Sequence, residues 1–127
     1  MEIWLNPECS KCRAAVDAVE AAGAGYTVRR YLDDPPDAAE LEAVLARLGL
    51  EPWDIARLGE PAAAELALAD LPREPGTRAA WIDALVAHPV LIQRPILTAA
   101  DGTTLVGRTP EAVAAALAAD AAHRGAG

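Results

Sequence analysis

The chain holds two cysteines, two residues apart in Asn6-Pro7-Glu8-Cys9-Ser10-Lys11-Cys12-Arg13, at the point where an apolar strand-like run gives way to helical periodicity. Residues 1–5 read as a first strand. Residues 11–22 place Ala15, Val16, Val19 and Ala22 on one helical face, with Gly23 as a stop. A thiol between a strand and the first turn of a helix faces backbone N–H groups that have no partner inside the helix. The positive end of the helix dipole favours its anion there. Lowering a cysteine pKa from ~8.5 to ~6.5 makes it roughly three-quarters thiolate at neutral pH. Lys11 and Arg13 are expected to push the same way. Cys9, ahead of the helix, is therefore the expected nucleophile, and Cys12, one turn in, the resolving thiol. The spacing alone names no substrate.

The rest of the chain builds a recognisable order around this junction. Residues 26–31 are rich in β-formers, and a strand–helix–strand unit of about thirty residues makes its strands parallel through a right-handed crossover. Asp33-Asp34-Pro35-Pro36 reads as a solvated turn. Asp37 then caps a helix with Glu40 in capping-box spacing, Leu41, Val44, Leu45 and Leu48 form its stripe, and Gly49 ends it. Residues 51–89 read as short helices, including one that Thr77 is expected to cap and that carries Trp81, Ile82, Leu85 and Val86. Strands return at 95–99 and 103–106 around the turn signal Ala100-Asp101-Gly102. Thr109 and Pro110 open the last helix, with a frayed end expected at 123–127. This order predicts an α/β, thioredoxin-like fold: a mixed four-stranded sheet (β-α-β, then β-β-α) with a helical insertion between strands 2 and 3. It is one domain, with its core at about 1–35 and 90–122 and the insertion at about 36–89. In that architecture a cis-proline opens the third strand beside the redox cysteine, a place that Pro95, after Arg94, would fill.

Charge and composition narrow the functions. The net charge of −8, from 11 basic and 19 acidic residues, argues against a nucleic-acid surface. No apolar run is long enough to span a membrane, and Met1-Glu2-Ile3-Trp4 lacks a basic leader, so a cytoplasmic protein is expected. Two thiols in a reducing compartment suit redox chemistry better than a structural staple. A metal site is not expected, because His88 and His123 are distant from each other and from the cysteines. A C-x5-R phosphate loop would need arginine at position 15 or 18, and both are alanine. Lys11 is the sole lysine, so the remaining basic residues are arginines, which bind oxyanions in a forked way that lysine cannot. Arg13, Arg57, Arg94 and Arg108 are the candidates. His88, at a helix end before Pro89, reads as structural.

Asn6-Pro7-x-Cys9-x-x-x-Arg13, Tyr31-Leu32-Asp33-Asp34-Pro35-Pro36, His88-Pro89-Val90-Leu91-Ile92-Gln93-Arg94-Pro95-Ile96 and Gly107-Arg108-x-x-Glu111 together resemble the ArsC/Spx family, with the nearer likeness to glutaredoxin-dependent arsenate reductases. The resemblance implies that Cys9 attacks arsenate while Arg57, Arg94 and Arg108 hold the oxyanion, supported by Asn6, Lys11, Arg13 and Pro95. It implies no bound cofactor. A low-molecular-weight thiol such as glutathione would be co-substrate, and glutaredoxin or thioredoxin the electron donor. The chain departs from the pattern twice: Leu5 stands where many such reductases have histidine, and Cys12 where many have no cysteine. A Cys9–Cys12 disulfide is thus an alternative to external resolution. The C-x-x-C also occurs in Spx-like regulators that bind RNA polymerase, and another thiol–disulfide substrate is a further alternative. Completion of a three-arginine anion site by Arg108, and the lack of a basic C-terminal segment, favour the enzyme.

Overall fold

A computed structural model of the protein describes residues 1–126, with side chains through His123. Residues 1–34 and the chain from Arg94 onward form one unit, and Pro35–Gln93 forms a second. The first unit carries β1 (Glu2–Leu5), α1 (Ser10–Ala21), β2 (Thr27–Arg30), β3 (Ile96–Thr98), β4 (Thr104–Val106) and α5 (Pro110–Ala126). The strands form one sheet in the order β2-β1-β3-β4. β1 runs parallel to β2 with Ile3 opposite Val28, and antiparallel to β3 with Ile3 opposite Leu97. β3 and β4 are antiparallel with Ile96 opposite Val106. This is the thioredoxin-like sheet that the order of elements predicts.

Strand alternation decides what each side chain meets. Ile3, Leu5 and Leu97 join Cys12, Ala15 and Val19 of α1 and Val113 and Ala116 of α5 in one buried cluster. Each fully buried Val, Leu or Ile contributes about 1.5–3 kcal/mol. Trp4 lies on the other face, buried, with the Arg29 guanidinium 5.3 Å from its ring centroid. The hairpin between β3 and β4 turns at Gly102, whose φ of 91° is a left-handed conformation that glycine adopts without steric cost. Asp101 Oδ1 accepts from the Thr103 N–H at 2.8 Å and steadies the turn. Thr109 Oγ1 accepts the Ala112 N–H at 3.1 Å, as expected of the residue capping α5. That helix continues through Ala126, which corrects the frayed end expected from 123 onward; Gly127 lies outside the described residues.

The second unit is helical: α2 (Ala38–Leu48), α3 (Pro61–Glu65) and α4 (Arg78–Ala87), joined by short 3-10 turns. The capping box is formed in full, with the Glu40 N–H donating to Asp37 Oδ1 at 2.8 Å and the Asp37 N–H to Glu40 Oε1 at 3.2 Å. Leu41, Val44 and Leu45 of α2 and Trp81, Ile82 and Leu85 of α4 are buried, and the two helices pack together. Trp81 Nε1 donates to the Pro72 carbonyl at 2.8 Å, which satisfies the one polar atom of a fully buried indole. Thr77 stands at the N-cap position of α4, but its side chain makes no capping bond. Its backbone is αR (φ −106°, ψ 0°) instead of the extended conformation of a capping residue, and its hydroxyl is turned back to the Pro72 and Glu74 carbonyls and the Glu74 N–H.

Gly107 follows β4 and marks a close approach of backbone to core. A Cβ there would lie 2.8 Å from Leu97 Cδ1, 3.1 Å from Leu97 Cγ and 3.3 Å from Pro95 Cγ. Leu97 is fully buried, so its side chain cannot swing aside without displacing neighbours. Gly107→Ala is expected to destabilise the protein by about 1–3 kcal/mol through overpacking. Urea unfolding measures this, and an unchanged midpoint would show that Leu97 yields freely.

Candidate active site

Two pairs of antiparallel strands set the position of the site. Trp4 pairs with Ile96, so the chain leaving β1 at Leu5 lies beside the chain entering β3 at Pro95. Ile96 pairs with Val106, so Gly107 and Arg108 reach the same end of the sheet. The Gly107 N–H donates to the Pro95 carbonyl at 2.8 Å, continuing the ladder by one residue. The Arg94–Pro95 peptide is cis, as Pro95 was expected to make it, and Pro95 is buried.

Asn6 folds the intervening turn. Its carbonyl accepts the Cys9 N–H at 3.0 Å and its Oδ1 accepts the Glu8 N–H at 3.0 Å. Cys9 then takes extended dihedrals as the N-cap of α1, and its carbonyl accepts the Arg13 N–H at 3.1 Å. Its burial works against the thiolate. The Cys12 backbone N–H, the Arg94 guanidinium, the Cys12 thiol and the Lys11 backbone N–H together outweigh that burial, bringing Cys9 down to about 6. A neutral thiol is a poor capping group, whereas a thiolate can accept from the open first turn of a helix. Burial pushes the Cys12 thiol the other way, up to about 11; its bond to Cys9 and the charge on Cys9 add to the rise, while the Asn6 N–H and Arg94 oppose it. One sulfur is poised as the anion and its neighbour as the donor.

The arginines divide between the units. Burial disfavours the charge on Arg94, but the Cys9 side chain, the Tyr31 phenol and Cys12 more than restore it, so its pKa is raised. Arg108 Nη1 donates to the Arg94 carbonyl at 2.8 Å, which ties the segment after β4 to the segment before β3. Arg57 belongs to the helical unit, where Nε donates to Glu60 Oε1 at 3.3 Å and Nη1 to Gln93 Oε1 at 2.9 Å. Its backbone N–H donates to the Leu91 carbonyl at 2.7 Å. Lys11 and Arg13 are exposed on α1, and Lys11 acts on Cys9 through its backbone N–H, not its ammonium. The first unit thus brings Asn6, Cys9, Cys12, Arg94, Pro95 and Arg108 together.

Tyr31 entered the sequence reading only as part of a family motif, without a role at the site, and Asp120 did not enter it. Tyr31 is fully buried and electrostatically coupled to Arg94. Asp120 is 1% exposed; its Oδ1 accepts the Ala100 N–H at 2.8 Å and lies 3.6 Å from the Met1 amino group. Its signal was available: an acid three to seven residues beyond Val113, Ala116 and Leu117 stands on the apolar stripe of α5. Among the described residues no group of three or more His, Cys, Asp or Glu is placed to hold a metal ion. No described helix is long and apolar enough to cross a membrane.

The geometry makes the Cys9 titration testable. Alkylation of Cys9 by iodoacetamide is expected to rise with pH through a midpoint near about 6 and then level off. Arg94→Met removes a donor to the thiolate and should move that midpoint upward. A wild-type midpoint at an ordinary cysteine value of ~8.5 would overturn the assignment of Cys9 as the anion.

Comparison with known proteins places the chain in a family. The model of the ArsC family matches residues 4–116. A Streptomyces viridochromogenes relative, described as an uncharacterized protein in the glnII region, is 60% identical over 92% of this chain and 98% of its own. An arsenate reductase from Neisseria meningitidis serogroup A is 38% identical over 92% of this chain and 97% of its own. The solved structure of an arsenate reductase from Vibrio cholerae superposes with a TM-score of 0.79 at 34% identity, covering 91% of this chain and 97% of that one. With the match running from β1 into α5 and the same fold in a solved relative, the chain belongs to the ArsC family.

Proposed function

We propose that the protein reduces arsenate to arsenite, with Cys9 as nucleophile. The observation that carries this reading is the place of Cys9 at the N-cap of α1, where the first-turn N–H groups and the Arg94 guanidinium draw its pKa down. With a pKa of about 6, roughly nine-tenths of Cys9 is thiolate at neutral pH. Arsenate is an anion at that pH, and forked guanidinium donors suit its oxygens. Arg94, before β3, and Arg108, after β4, supply two such donors. Arg57 enters as the third through its match to the family pattern.

In this mechanism the Cys9 thiolate attacks arsenic, an As–S bond forms and one arsenate oxygen leaves as water. The arginines stabilise charge on the adduct. A second thiol then attacks the Cys9 sulfur. The new S–S bond forms, the S–As bond breaks, and its electron pair stays on arsenic, which leaves as arsenite. The resulting disulfide is reduced by glutaredoxin or thioredoxin.

Cys12 is one source of the second thiol and a low-molecular-weight thiol such as glutathione the other. Formation of the adduct favours Cys12, because two of the causes that hold its proton are the charge of Cys9 and the bond to it. Both weaken once Cys9 is esterified to arsenic.

Arsenite production by the purified protein, with the glutathione–glutaredoxin and thioredoxin systems supplied in turn, tests the reading. Cys9→Ser is expected to abolish turnover, and Cys12→Ser to change which donor supports it. Arg94→Ala and Arg108→Ala should each lower kcat/KM by about 10²–10³. No turnover with any donor, alongside a readily formed Cys9–Cys12 disulfide, would instead support a redox switch of the Spx kind acting on RNA polymerase.

A further inference from the structure

A groove of about 320 Å³ runs between α1 and α5 within the first unit. Its polarity is graded. At one end stand Lys11, in the first turn of α1, and Arg108, immediately before the first turn of α5. Both are tied to the reactive sulfur: the Lys11 N–H faces Cys9, and Arg108 binds the carbonyl of Arg94, whose guanidinium meets Cys9. Away from that end the walls are apolar, formed by Ala14 on α1 and by Val113, Ala114 and Leu117 on α5. Inorganic arsenate has no use for such walls. A ligand with a tetrahedral anionic head and an apolar arm matches both ends.

We propose that this groove admits organoarsonates, the arsonate lying at Arg108 and an aryl arm lying between α1 and α5. The proposal rests on the arsenate-reducing role given to Cys9 above and widens its substrate class. The chemistry balances in the same way. Cys9 attacks the arsonate arsenic and water leaves. A second thiol then attacks the Cys9 sulfur, and the S–As electron pair reduces As(V) to As(III). The carbon–arsenic bond is untouched, so one phenylarsonate and two thiols give phenylarsonous acid, one disulfide and one water.

Binding can be read without turnover by using phosphorus analogues that thiols do not reduce. Protection of Cys9 from iodoacetamide is compared for phenylphosphonate, methylphosphonate, inorganic phosphate and benzoate. Burial of the ring is expected to make phenylphosphonate protect at about tenfold lower concentration than methylphosphonate. Ala14→Leu and Ala114→Leu, conservative changes at exposed helical positions, should each erase that advantage while leaving protection by phosphate unchanged. Equal protection by the phenyl and methyl compounds, or by benzoate and phenylphosphonate, would overturn the proposal. Phenylarsonate and arsenate reduction are then assayed side by side. Turnover of arsenate alone would refute the wider substrate class, whereas turnover of neither would refute the reductase reading itself.

Discussion

The register of β3 between β1 and β4 is the constraint on which the site depends. Trp4 opposite Ile96 and Ile96 opposite Val106 leave three chain segments side by side at one end of the sheet: the turn after Leu5, the Arg94–Pro95 peptide, and Gly107-Arg108. A slip of one residue between β1 and β3 would turn Leu97 out of the core and carry Arg94 along β1, and a slip between β3 and β4 would carry Arg108 away from the Arg94 carbonyl. The core holds the register in place. Leu97 and Ile3 pair on the face covered by α1 and α5, and Gly107 clears the space that Leu97 occupies. Packing on one face of the sheet thereby fixes chemistry at its end.

Electrostatics give the site its direction. The chain carries a net charge of −8, yet Arg94, before β3, and Arg108, after β4, are joined by a hydrogen bond at one end of the sheet. The Cys9 side chain favours the charge on Arg94, and a bound oxyanion would do the same. A ligand that brings negative charge there would stabilise the native state by linkage. The hydrogen bond from Arg108 to the Arg94 carbonyl also holds the Arg108 guanidinium in place, so that side chain does not bear the full loss of rotamer freedom at the moment of binding.

Local features of this chain were legible from local sequence. The C-x-x-C at a strand–helix junction, the Asp37–Glu40 capping box, the turn at Gly102 and the Thr109–Pro110 helix start each depend on residues within one turn of each other. Thr77 failed the same reasoning because its αR backbone turns the hydroxyl back to the Pro72 and Glu74 carbonyls and away from the first turn of α4. The long-range contacts were not legible in this way. Nothing near Arg108 in the sequence says that it donates to a carbonyl fourteen residues earlier, and nothing near Gly107 says that Leu97 fills the place of its Cβ. Both follow from hairpin register, which depends on the whole core. Arg94 and Arg108 were candidates from the residue types and the Pro95 signal, and the resemblance added their oxyanion-holding role; the register explains only why the two segments lie side by side. Asp120 shows the opposite case: a charge on an apolar stripe is a visible anomaly, and its partners on the β3–β4 turn and at Met1 resolve it.

The unequal cysteines also bear on whether this site suits turnover or a lasting switch. Donors that stabilise the Cys9 thiolate act on the reduced protein and are lost when Cys9 enters a disulfide, which has no negative charge to offer the Cys12 N–H or Arg94. Stabilising the reduced form raises the reduction potential of a dithiol pair and makes its disulfide a stronger oxidant. A Cys9–Cys12 disulfide, were it to form in this setting, would be readily reduced, with Cys9, as the thiolate of lower pKa, the better leaving group. Those are the properties of an intermediate regenerated in every cycle. A switch that must persist in a reducing compartment needs the reverse, a disulfide stabilised relative to its thiols. The donors around Cys9 thus favour catalysis over storage of an oxidised state, and they do so through the same bonds that make Cys9 nucleophilic.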